Sequence, residues 1–82
     1  MIIKYPLSTE KSIRLMESDN MLVFVVDKKS NKKQIKEAIE KLYDVKVKRV
    51  NTAIVAKGPK KAYVKFADDT PAIDLATQLG IM

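Results

Sequence analysis

Thirteen of the sixteen basic residues in this 82-residue chain fall between Lys28 and Lys65, beside only three acids, Glu37, Glu40 and Asp44. That segment therefore carries a net charge of +10. Residues 1–27 hold three bases and four acids (−1), and residues 66–82 hold three acids and no base (−3). Such a concentration repels itself unless an anion neutralises it, and nucleic-acid phosphate is the first candidate. A solvated helix face would instead use the weak i,i+4 pairs Lys33/Glu37, Lys36/Glu40 and Glu37/Lys41. Those pairs absorb three lysines and leave Lys46, Lys48, Arg49, Lys57, Lys60, Lys61 and Lys65 without a role.

Lys61, Tyr63 and Lys65 alternate with Ala62, Val64 and Phe66, so a strand here has one basic-aromatic face and one apolar face. Lysines can bind phosphates while Tyr63 stacks on a base or ribose; the competing role for Tyr63 is packing beneath a helix with its hydroxyl at the rim. Ala62–Phe66 also fits the last five positions of the RNP1 pattern. Pro59, Lys60 and Lys61 stand where basic, glycine and aromatic residues are required. The chain has no His and no Cys. Imidazole acid–base chemistry, thiol nucleophiles, zinc fingers and disulfides are thereby excluded. Asp68-Asp69 has no convergent partner for a metal site or an acid–base dyad and reads as a turn. No enzyme, cofactor or small-molecule substrate is expected.

These residues need positioning by a small set of elements. Residues 1–4 read as a short edge strand ended by Pro6, and Ser8 or Thr9 caps a first helix with Ile13 and Met16 inward. Met21–Val26 is apolar on both faces and should be a central strand covered on both sides. Asn31 with Gln34 fits a capping box, and Ile35, Ala38, Ile39, Leu42 and Tyr43 form the inner stripe of a second helix. A strand over residues 45–55 has Val45 and Val47 in one phase and Val50, Thr52 and Ile54 in the other. Either a bulge at Lys48-Arg49 shifts the phase, or both faces are partly covered. Lys57–Lys60 turns the chain into a strand over residues 61–67. Thr70 as cap, Pro71 at the first position and Gly80 past the end delimit a last helix, with Ile73, Ala76 and Leu79 inward. The order is β-(α)-β-α-β-β-α, an α+β single domain over residues 1–82 with a largely antiparallel sheet and helices packed on it. The longest apolar run, Met21–Val26, is far short of a membrane span, so a cytoplasmic protein without membrane contact is expected.

Several stretches together resemble the L-twenty-three family of large-subunit ribosomal proteins. They are Pro6 with Thr9-Glu10-Lys11, Asn20 with Phe24 and Val26, and Lys32 through Val47 with its Ile35-Lys36, Ala38, Glu40 and Leu42. Val50-Asn51-Thr52 and Lys60-Lys61-Ala62-Tyr63-Val64-Lys65 complete the set. The last run matches the family's RNA-binding signature, with Phe66 where the family usually has Leu. The ending, Ala72 through Ile81, and the short hairpin look archaeal. The long tunnel-reaching loop of bacterial members and the basic N-terminal extension of eukaryotic ones are not expected. The resemblance implies a structural protein bound to domain III of large-subunit ribosomal RNA at the rim of the polypeptide exit tunnel. It implies a neighbour of the L-twenty-nine family and a docking site for the signal recognition particle that uses Glu10.

The RNA contacts expected are Lys11, Lys32, Lys33, Lys36, Lys46, Lys48, Arg49, Asn51, Thr52, Lys57, Lys60, Lys61, Tyr63 and Lys65. Lysine and arginine neutralise phosphate, while Asn51 and Thr52 hydrogen-bond the backbone or base edges of a folded RNA. Glutamates at both Lys60 and Lys61 are expected to weaken RNA binding without unfolding the domain. The alternative is a free-standing RRM-like module for single-stranded RNA.

Overall fold

The computed structural model describes residues 2–54 and 58–81. Its elements are β1 (Ile3–Pro6), α1 (Glu10–Asp19), β2 (Met21–Val26), α2 (Lys32–Tyr43), β3 (Val47–Ile54), β4 (Lys60–Phe66) and α3 (Ala72–Leu79). The strands form one antiparallel sheet in the order β1-β2-β4-β3. Because β4 pairs with both β2 and β3, those two run parallel with β4 between them, and α2 makes the crossover.

Local chemistry sets each helix. Thr9 caps α1: its hydroxyl accepts from Ser12 N–H at 3.2 Å, and its own N–H donates to Ser12 Oγ at 2.8 Å. Asn31 and Gln34 make the same reciprocal pair at the start of α2, at 2.8 and 3.0 Å. Gly80 ends α3 in the left-handed conformation (φ 75°), which glycine adopts without a Cβ penalty. Thr70 is not the α3 cap. Pro71 occupies that position without a side-chain bond, and the orphan N–H of Ala72 instead donates to Asn20 Oδ1 at 2.6 Å. Asn20, left-handed at the end of α1 (φ 55°), also donates through Nδ2 to the carbonyls of Ala67 (3.2 Å) and Thr70 (3.1 Å). One amide thus ties the end of α1 to the β4–α3 corner.

All three helices contribute to one core on one face of the sheet, while α1 also borders the other face through Lys11, Ser12 and Leu15. Met16, Ile35, Ile39, Ala72, Leu75 and Ala76 join Leu22, Phe24, Val26, Ala62, Val64 and Phe66 in one buried cluster. Val47 and Val50 both enter it because the β3–β4 register shifts between Val47 and Arg49, so the phase slip is the arrangement adopted. Every β2 residue is buried, as the two-sided apolar run requires. Tyr43 stacks on Phe24 with ring centroids 6.1 Å apart, and burial pushes its hydroxyl pKa up.

Two expected inward residues lie outside. Leu42 is 61% exposed and Ile73 43% exposed. Helical period places them correctly by angle, but Leu42 overhangs a recess of about 440 Å³ beside Ile2, Ile3 and Ala38. Strand bounds also shift: β1 continues to Pro6, β3 begins at Val47, and β4 begins at Lys60 rather than at Lys61.

Candidate nucleic-acid interface

The sheet face opposite the main core is built by β2, β4 and β3. Register places Lys65 opposite Arg49 and Met21, Tyr63 opposite Asn51 and Val23, and Lys61 opposite Ala53 and Val25. These residues share one face because side chains alternate along a strand. Met21, Val23 and Val25 are buried there although they lie outside the helix-side cluster. They are flanked across the strand by the half-buried Lys61, Tyr63 and Lys65, and Val23 also by Leu7, Lys11, Ser12 and Leu15. Lysine stems lie over apolar surface while the ammonium groups stay in water. Tyr63 thus has a packing role against Val23, and it borders a shallow recess shared with Lys11, Leu15 and Lys61. α1 approaches Tyr63 on that face through Lys11, Ser12 and Leu15.

Arg49 and Lys65 stand directly opposite each other on neighbouring strands. Like charges in that position are destabilising, and among the described residues neither has an acid within ion-pair reach. Arg49 and Asn51 are exposed. The face presents cations, one aromatic ring and one amide with no ion pair among its described residues, and Lys65 shares a recess with Glu17, Asp19 and Asp68.

The other expected contacts are distributed elsewhere. Lys11 is exposed on α1 at the edge of this face. Lys46 is exposed just before β3, and Lys48 is the exposed extra residue at the register shift. Thr52 pairs with Ala62 and so points to the helix-bearing side, half-buried. Lys32, Lys33 and Lys36 are exposed on α2, which packs on that same side. Lys57 lies outside the described residues, as does part of the 57–60 turn. Glu10 is exposed in the first turn of α1 and pairs with Arg14 at 2.7 Å, the only ion pair among the described residues. The pairs Lys33/Glu37, Lys36/Glu40 and Glu37/Lys41 do not form, and the Glu40 carboxylate instead accepts from Val47 N–H at 3.0 Å.

Lys60 requires a correction. It belongs to β4, opposite Val26 and Ile54, and points to the helix side. It is only 8% exposed, and its Nζ donates to the Ser30 carbonyl. Its charge is therefore not on the open face, and a glutamate there would set a carboxylate against a carbonyl oxygen. The paired Lys60 and Lys61 glutamates would confound unfolding with lost binding. Lys60→Met, which keeps the stem and removes the donor, is expected to cost about 1 kcal/mol of stability in urea denaturation. An unchanged midpoint would show that the Ser30 contact contributes nothing.

Asn20 and the Arg49–Lys65 apposition are the features that residue spacing did not reveal. Asn20 bonds to residues 46 to 52 positions away, and the apposition depends on strand register. Among the described residues no group of three acids approaches metal-binding geometry, and no helix is long and apolar enough to cross a membrane.

Residues 1–73 match the family described as Ribosomal protein L23. The chain is also 48% identical over 80 residues to the large ribosomal subunit protein uL23 of Methanococcus aeolicus, an archaeon, covering 98% of this chain and 93% of that protein. The open basic sheet face sits on a chain that belongs to the ribosomal protein L23 family in its archaeal form.

Proposed function

We propose that the open sheet face binds large-subunit ribosomal RNA, in its domain III, and anchors the protein at the rim of the polypeptide exit tunnel. The observation that carries this reading is the apposition of Arg49 and Lys65 with no ion pair to either, beside the facing pair Asn51 and Tyr63. The free protein gains nothing from setting two cations across a strand pair, whereas a phosphate between them turns repulsion into two charge-assisted contacts. Lys61 extends the plane toward the hairpin end, and Lys11, Lys46 and Lys48 flank it.

The protein-facing part of the proposal rests on the family resemblance. An L-twenty-nine-type protein is the neighbour, and the signal recognition particle docks near the exposed first turn of α1, where Glu10 is accessible.

A tagged copy run on a sucrose gradient at moderate salt tests the assignment. It should migrate with large subunits and survive a salt wash. A peak at the top of the gradient or in light RNA particles would instead identify a free RNA-binding module. The aromatic contact has its own test. Tyr63→Leu keeps apolar cover over Val23 but cannot stack on a base. It should lower affinity for deproteinised large-subunit RNA about tenfold while leaving the urea midpoint within about 1 kcal/mol of the parent. Unchanged affinity would confine Tyr63 to packing.

A further inference from the structure

The five aromatic residues of the chain divide between the two sides of the sheet. Phe24 and Phe66 are fully buried in the core, and Tyr43 stacks on Phe24 there. Tyr63 lies on the open face, opposite Val23 and Asn51. Tyr5 joins it by register. It stands opposite Val25 on β2, while the next residue, Pro6, stands opposite the core residue Phe24. Side chains alternate along β1, so Tyr5 shares the face of Val25, Lys61 and Tyr63.

Tyr5 is 52% exposed, whereas every other aromatic is half-buried or buried. One exposed apolar residue is ordinary on a protein surface. Tyr5 differs in its place. One row of the open face runs Tyr5, Val25, Lys61, Ala53 across the four strands, and the next row holds Val23, Tyr63 and Asn51. Val25 is 2% exposed between Tyr5 and Lys61, so part of Tyr5 packs across the strand pair and the rest of its ring is open.

The spacing of the two rings restricts the ligand. They are two strands apart and offset by two residues, which sets them about 12 Å from each other. A base inside a duplex has both faces covered by its neighbours, so stacking on tyrosine needs a base that has left the stack. Successive stacked bases are about 3.4 Å apart. The two rings are therefore too far apart to share one base or two adjacent stacked ones. Lys61 lies on the Tyr5 row and two positions from Tyr63 on β4, where its ammonium can hold the phosphate between two splayed bases.

We infer that Tyr5 is a second base-stacking residue of the open face, and that the RNA held there is an unpaired loop or bulge with one base on Tyr63 and another on Tyr5. This rests on the RNA-binding reading of the open face and narrows its ligand from folded RNA in general to an unpaired segment.

Tyr5→Leu keeps apolar cover over Val25 and removes the ring, and Tyr5→Phe keeps the ring. Each is titrated with deproteinised large-subunit RNA at several salt concentrations. Tyr5→Leu should bind about tenfold more weakly at every salt concentration, with an unchanged salt slope because no cation is lost. Tyr5→Phe should bind like the parent. Tyr5→Leu/Tyr63→Leu should bind about a hundredfold more weakly, since sites this far apart act additively. A second readout does not depend on affinity. Tyr5→p-azidophenylalanine and Tyr63→p-azidophenylalanine, photo-crosslinked and mapped by primer extension, should mark two different unpaired nucleotides. Parental affinity for Tyr5→Leu, or crosslinks from position 5 to paired nucleotides or to none, would overturn the inference. Arg49→Gln/Lys65→Gln, measured in parallel, separates the two readings. If it weakens binding while Tyr5→Leu does not, the open face stands and only the Tyr5 contact falls. If neither weakens binding, both fall.

Discussion

Arg49→Glu/Lys61→Glu/Lys65→Glu should bind deproteinised large-subunit RNA about a hundredfold more weakly at 0.15 M salt than the parent chain. The magnitude follows from counterion release, which gives each neutralised phosphate a slope of roughly 0.7–0.9 in log affinity against log salt. Taking 1 M salt as the point where that contribution vanishes, one contact is worth about 0.6–0.7 log units at 0.15 M, and three are worth about two. The corresponding glutamines should lower the salt slope by about 2–3 without adding repulsion, which separates lost contacts from a reversed field. The fold should survive, because Arg49 is exposed and Lys61 and Lys65 are half-buried on the side away from the main core. Arg49→Gln alone relieves the repulsion with Lys65 and is expected to leave free-protein stability unchanged or a few tenths of a kcal/mol higher while weakening RNA binding. A triple variant with native circular dichroism and an unaltered salt slope would remove the open face from the interface.

Asn20→Ala should destabilise the protein by about 2–4 kcal/mol in urea denaturation. Three costs combine: α3 loses the acceptor for Ala72 N–H, the Ala67 and Thr70 carbonyls lose a donor, and alanine must take the left-handed conformation. A chain of this size has about 4–12 kcal/mol in total, so the loss is a large share. Asn20→Gly tolerates the backbone and should recover about 1 kcal/mol of it. Amide exchange should accelerate first in α3, whose N-terminal cap is supplied by this side chain. A midpoint within about 0.5 kcal/mol of the parent for Asn20→Ala would show that the α3 start is satisfied by other means. The ribosomal consequence would be indirect, through the β4–α3 corner that holds Phe66 and hence the end of the Lys61–Lys65 strand.

Local rules carried much of the architecture. The two-sided apolar run at Met21–Val26 required a covered central strand, and Asn31 with Gln34 required a helix start. Gly80 stopped the last helix. Alternation over residues 61–66 required one basic-aromatic face. Each of these is written within a few residues, where backbone sterics, capping and side-chain period act. The family signature at Lys60–Lys65 was equally legible, because it is contiguous.

What the local pattern left undecided depended on strand ends and on partners far along the chain. Local pattern places Lys60 in the turn, one position before the alternation begins, whereas β4 starts at Lys60. A single position at period 2 exchanges the solvent for the core, and only pairing with Val26 and Ile54 determines which side it takes. The helical angle of Leu42 was correct, but the length of apolar floor beneath α2 is set by where β1 lies, not by the helix itself. Asn20 acts across about fifty residues, so its neighbours in sequence carry no trace of the carbonyls it binds. The elements, the family and the quantity of positive charge are written in the residues themselves. How that charge divides follows from the fold, because a sheet separates its two faces and register alone brings Arg49 against Lys65.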